Sequence, residues 1–238
     1  MSEQYLCFKL WEIFKTKGKK LKKTPFIGYY DYWVILTYLS IVSAVVGMYF
    51  AFDGNIRYAI YCMMFSGLFD TFDGRVAALK KKDSIQSNFG IQIDAMADLV
   101  SFGVLPAIIL YSLGQSSGYY GITSIIVPAI YVLAAFIRLA YFAAIESESK
   151  DDENKKRKNF RGLPTTSVAL LIPLVYFVCD ILQASFFEVL SVTFVITALF
   201  FILNIKIPKP GIRTQIILCS IGLIILLIIV FVGGNMSG

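Results

Sequence analysis

Four aspartates, Asp70, Asp73, Asp94 and Asp98, interrupt two otherwise apolar helical stretches, and no other feature restricts the folds open to this chain as tightly. The first pair lies in F-D-T-F-D-G-R-V-A-A and the second in G-I-Q-I-D-A-M-A-D. A carboxylate within a bilayer costs on the order of 3 kcal/mol on insertion scales, and more when left unpaired. A fold that accepts four of them must bring them to a shared counter-charge. Clustered carboxylates present hard oxygen ligands, which suit magnesium, manganese or calcium. The chain is therefore expected to hold a divalent cation inside a membrane domain.

The rest of the sequence supplies that domain. Of 238 residues 57% are hydrophobic and the mean hydropathy is +0.70, values of a polytopic membrane protein. Apolar stretches of at least about 18 residues fall near 33–52, 56–80, 90–114, 119–145, 164–183, 186–205 and 214–233. The expectation is an all-α, polytopic membrane helical bundle of about seven transmembrane helices. Residues 1–30 read as a separate cytoplasmic interfacial segment and residues 31–238 as the membrane domain. In that first segment Leu6, Cys7, Leu10, Trp11 and Phe14 share a helical face ahead of K-G-K-K-L-K-K, as in a helix lying on an anionic leaflet. A disordered basic tail is the alternative there. Lys9, Glu12 and Lys15 break the apolar core that a cleavable signal would need.

Two residue types narrow the chemistry. Histidine is absent, so acid–base work falls to carboxylates. Cys7, Cys62, Cys179 and Cys219 show no C-x-x-C spacing, and three of them sit in apolar runs. They read as small hydrophobes rather than as zinc ligands or disulfide partners.

Charge sets the orientation. Seven lysines precede the first span, Arg75 and Lys80–Lys82 close the second, and six basic residues fill the stretch Lys150–Arg161. Lys206, Lys209 and Arg213 separate the last two spans. The positive-inside rule then puts the N-terminus in the cytoplasm, leaving Arg57 outside. With the basic residues assigned to that face, no nucleic-acid partner is expected. The second helix runs inward and the third outward, so Asp73 lies roughly 10 Å from the cytoplasmic end, with Asp94 and Asp98 at about 6 and 12 Å. Spacings of three and four put each acid pair on one helix face. Two antiparallel neighbours thus gather all four carboxylates at one level, in the cytoplasmic half.

These positions carry a resemblance. D-x-x-D-G-x-x-A (Asp70, Asp73, Gly74, Ala77) followed by G-x-x-x-D-x-x-x-D (Gly90, Asp94, Asp98) resembles the signature of the CDP-alcohol phosphotransferases, over about residues 65–165. The resemblance implies a six-helix core in the plasma membrane, with its active site facing the cytoplasm. It implies metal binding by Asp70, Asp73, Asp94 and Asp98, with two Mg2+ or Mn2+ ions, and Asp98 as general base. It also implies donor contacts at Gly74, Ala77 and Gly90, and a homodimer. Small-residue helix packing is the alternative for Gly74 and Ala77.

The pattern departs from the family in two places. Ala78 stands where the family has an arginine, and the spacer before Gly90 is three residues longer than usual. Arg75 or the lysines around Lys81 are candidates to supply the missing charge, although positive-inside anchoring accounts for those lysines equally well. D-A-M-A-D-L-V-S-F-G-V-L-P-A, R-L-A-Y-F and F-R-G-L-P resemble stretches of the phosphatidylserine-forming branch. That implies transfer of a phosphatidyl group from CDP-diacylglycerol to L-serine, with release of CMP. Arg138 and Arg161 are the candidate cations for the serine carboxylate, with interfacial anchoring as the other reading. Glycerol 3-phosphate or inositol phosphate as acceptor, and an ion-coupled transporter, are the alternatives to that function.

Overall fold

A computed structural model of the chain describes residues 28–78, 83–116, 118, 121–151, 159–161, 164–204 and 206–208, with backbone only at 75–78, 149–151, 159–161 and 206–208. Residues 1–27 of the expected interfacial segment, Lys80–Lys82 and the expected span at 214–233 lie outside the described residues.

Helices account for nearly all of what is described. Helix α1 (Tyr32–Phe52) is uncharged throughout, as a bilayer-spanning segment should be. It turns into α2 (Ile56–Ala78) across Asp53–Asn55. Gly54 makes that turn in the left-handed region, at φ +79°, which glycine enters without a Cβ penalty. Helix α3 (Ser84–Asp98) runs through a π-helical turn (Leu99–Val104) into α4 (Leu105–Ser116), a continuous path of 33 residues. Helix α5 (Thr123–Asp151) follows, then α6 (Val168–Leu182), entered through a 3-10 turn at Thr165–Ser167, and α7 (Phe186–Ile202). Two three-residue strands, β1 (Asn159–Arg161) and β2 (Lys206–Pro208), pair antiparallel and join the segments that follow α5 and α7.

The described bundle corresponds to the first six predicted spans. Four helical segments are long and apolar enough to cross a bilayer, namely Tyr32–Phe52, Ser84–Ser116, Thr123–Glu148 and Thr165–Leu182. Phe186–Ile202 is a shorter apolar helix, and α2 carries the first acid pair. The third helix starts at Ser84, six residues before Gly90. Hydropathy marks where the bilayer begins, whereas the hydrogen-bonded helix continues outward through the polar residues S-I-Q-S-N.

A proline lies just past the π turn. Pro106 has no N–H to give the carbonyl of Phe102 four residues back. The hydroxyl of Tyr131, from α5, donates to that carbonyl instead at 2.5 Å. Tyr131 stacks on Phe194 of α7 with ring centroids 4.2 Å apart, so α7 closes over the same point. Phe102, Leu105, Ile109, Leu110, Tyr131 and Phe194 are fully buried and form the centre of the core. The outward faces are equally apolar: Val42, Val45, Ile130, Leu133, Val192 and Leu199 are all exposed. A helix bundle that is greasy on both sides has lipid for its solvent. Cys62 and Cys179 are free thiols within this bundle, in line with their reading as hydrophobes.

Candidate metal centre and acceptor cation

Helices α2 and α3 carry the two acid pairs. One carboxylate oxygen from each of Asp70, Asp73 and Asp94 lies within 4.8 Å of the other two. Three oxygens at that separation lie about 2.8 Å from their common centre, so an inward movement of a few tenths of an ångström suits a calcium-sized ion at about 2.4 Å and a somewhat larger one suits magnesium at about 2.1 Å. Burial grades across the trio. Asp73 is buried, Asp70 half-buried and Asp94 exposed, so the cluster opens on the Asp94 side. Asp98, one turn beyond Asp94, lies within hydrogen-bonding reach of Asp70. The four acids therefore gather as their spacing predicts.

Neighbouring elements hold these carboxylates. Thr37 of α1 donates its hydroxyl to Asp73 Oδ2 at 2.9 Å. Thr165, in the 3-10 turn, donates to Asp98 Oδ2 at 3.2 Å. One turn from the acids, Ser40, Ser66 and Ser101 form a buried hydroxyl network at 2.6, 3.2 and 2.7 Å, which links α1, α2 and the π turn. None of these five hydroxyls was singled out by the motif. Thr165 directly follows the F-R-G-L-P stretch, and Ser101 lies within S-F-G-V, so both had a sequence signal. Thr37 and Ser40 had none.

Arg138 is buried at 7% exposure on α5, close enough to Asp98 to interact with its charge. Its guanidinium lies over the rings of Phe142 and Phe201, 4.8 and 5.7 Å from their centroids. Such faces attract a cation and also fix its plane. Its Nε has no hydrogen-bond partner among the described residues. A buried guanidinium with an unused donor is suited to an anionic ligand. For Arg161 the description covers backbone alone, within β1.

Gly74, beside the acids, also differs from packing glycines. At Gly67 an added Cβ would sit 2.7 Å from the Cβ of Ala169, so that glycine allows α2 and α6 to touch. At Gly74, beside the acids, an added Cβ would meet nothing within 4 Å, and the residue is exposed. Helix packing among the described residues does not require a glycine there. Gly90 is half-buried on α3. The side chains of Arg75 and Ala77 and all of Lys81 lie outside the described residues.

Comparison with known proteins places the chain in a family. A family model for CDP-alcohol phosphatidyltransferase matches residues 34–205. The chain is 30% identical over 189 residues to an archaetidylserine synthase of Methanothermobacter thermautotrophicus, covering 79% of this chain and 72% of that protein. It is 34% identical over 142 residues to a CDP-diacylglycerol–serine O-phosphatidyltransferase of Methanocaldococcus jannaschii, with 60% and 59% covered. For the enzyme of that name from Saccharomyces cerevisiae the figures are 34% over 144 residues, with 58% and 49% covered. The matched stretch thus spans about half the length of the yeast relative. No solved structure matches significantly. Since the family match runs from the start of α1 to just past the end of α7, this chain belongs to the CDP-alcohol phosphatidyltransferase family.

Proposed function

We propose that this protein transfers a phosphatidyl-type group from a CDP-linked lipid, CDP-diacylglycerol or its archaeal ether counterpart, to the hydroxyl of L-serine. The observation that carries this reading is the convergence of Asp70, Asp73 and Asp94 within 4.8 Å, with Asp98 and the buried Arg138 beside them. The family is metal-dependent in general, and the all-oxygen donor set suits Mg2+ or Mn2+. When bound, such ions, two in this proposal, neutralise the donor diphosphate and polarise its phosphorus. Asp70, Asp73 and Asp94 hold the cation, and Asp98 contributes to its shell. The open side of Gly74, with Ala77 and Gly90, receives the cytidine diphosphate, and Arg75 and Lys81 stand in for the arginine replaced by Ala78.

Asp98 accepts the serine hydroxyl proton as that oxygen bonds to phosphorus. The phosphorus–oxygen bond to CMP breaks, and CMP leaves with the electron pair. Arg138 receives the serine carboxylate, with Arg161 at the entrance. The relatives' names, archaetidylserine synthase and CDP-diacylglycerol–serine O-phosphatidyltransferase, support serine over other acceptors. The enzyme is further proposed to be a homodimer in the plasma membrane, with its N-terminus and active site on the cytoplasmic side.

The test is CMP release by purified protein with Mg2+ or Mn2+, each CDP-linked lipid, and a panel of serine, glycerol 3-phosphate and inositol phosphate. Serine-dependent release with formation of the serine phospholipid is expected. Release driven by another acceptor but not by serine would reassign the substrate.

A further inference from the structure

Helix α1 carries no acid and no base between Asp31 and Asp53, and no motif marks it. It nevertheless meets the metal centre at two successive levels. Thr37, 5% exposed, gives its hydroxyl proton to Asp73 Oδ2 at 2.9 Å. One turn farther along the same face, Ser40 enters the buried network with Ser66 and Ser101. Ser66 lies four residues before Asp70, and Ser101 three residues after Asp98. The network therefore ties α1 to the two acid-bearing paths one turn from their carboxylates.

The Thr37 contact departs from the usual behaviour of threonine in an apolar helix. Thr71, Thr193 and Thr197 each donate to a carbonyl four residues back in their own helix, at 2.8, 2.8 and 2.7 Å. That local bond is the common outlet for a hydroxyl with no water nearby. Thr37 instead reaches a side chain 36 residues away in sequence. Its branched Cβ restricts χ1, so the direction of the donated bond is set by the backbone of α1.

We propose that Thr37 is a positioning residue for Asp73, fixing the rotation of that carboxylate as a cation ligand, with the Ser40 network holding α1 at the height where the bond forms. The idea rests on the reading of Asp73 as a ligand. Partners of this kind orient the ligating group, and their loss typically lowers metal affinity by about 10- to 100-fold.

The test uses the full chain in detergent without donor lipid, and reads Mn2+ binding by electron paramagnetic resonance beside the thermal unfolding midpoint. Thr37→Val should weaken Mn2+ binding by about 10-fold or more. Thr37→Ser, which keeps the hydroxyl, should restore it. Thr37→Ala gives the same comparison with less bulk if the valine variant unfolds. Native Mn2+ affinity in both hydroxyl-free variants overturns the proposal, as does equal weakening in the serine variant. Asp73→Asn separates the two levels: native Mn2+ affinity in that variant overturns the ligand reading itself.

Discussion

Asp98 and Arg138 lie close enough for their charges to interact, and their surroundings make opposite demands on substitution. Asp98 already accepts a bond from Thr165 and lies against Asp70. Asp98→Asn keeps the shape but cannot take a proton, so turnover should fall at least about 100-fold while CDP-diacylglycerol still binds. The paired measurement is kcat and donor affinity on the same variant. A parallel loss of both would make Asp98 a metal ligand first. The Arg138 guanidinium lies over the rings of Phe142 and Phe201. A lysine keeps the charge but neither the plane nor the fork of donors. Arg138→Lys should therefore raise the KM for serine well above its effect on the donor KM, and equal shifts in a two-substrate titration would remove Arg138 from the acceptor site. Both residues were legible in the sequence, the acid from its four-residue spacing and the arginine from being a charge in an apolar span. Thr37 was not legible. A threonine in an apolar helix is unremarkable until its partner, far along the chain, is folded beside it.

Among the elements, glycines and one tyrosine hydroxyl determine how the helices meet. A Cβ at Gly67 would press against Ala169, whereas one at Gly74 would meet open space. Gly67→Ala should destabilise the α2–α6 contact by about 1–3 kcal/mol, as overpacked cores do. Gly74→Ala should leave the unfolding midpoint unchanged and weaken donor binding, and a stability loss there would return Gly74 to a packing role. Tyr131→Phe leaves the Phe102 carbonyl without the hydroxyl that now reaches it, a cost of about 1–3 kcal/mol for a buried group. A lowered midpoint in thermal unfolding checks this. Span positions were readable because apolar runs end at charges: 33–52 was expected, and Tyr32–Phe52 is the helix. Two features escaped for physical reasons. The start of α3 at Ser84 lies in polar sequence, which hydropathy does not register. The π turn lies in a mostly apolar stretch that carries no mark of it.

On the scale of the whole molecule, the acids all sit near one end of the bundle, and that end is assigned by charge alone. The assignment is open to direct measurement. In a variant without its native cysteines, Ser84→Cys and Ile122→Cys are both exposed positions, at opposite ends of the α3–α4 path and its turn into α5. An impermeant maleimide should label the first only in inside-out vesicles and the second only in right-side-out ones; the reverse pattern would invert the topology. That same path contains the wide turn Leu99–Val104. Each residue added to or removed from a helix rotates everything beyond it by about 100°. The wide turn takes up such a difference in phase, so that Asp94 and Asp98 face α2 while Leu105 and Ile109 fill the core. Deleting a single residue here would give a more regular helix and swing the acid pair off the carboxylate cluster. Conservative exchanges at the half-buried Leu99 and Val100 would leave the phase intact. In this stretch the number of residues is under tighter constraint than the identity of several of them, so insertions and deletions should damage the enzyme where point changes do not.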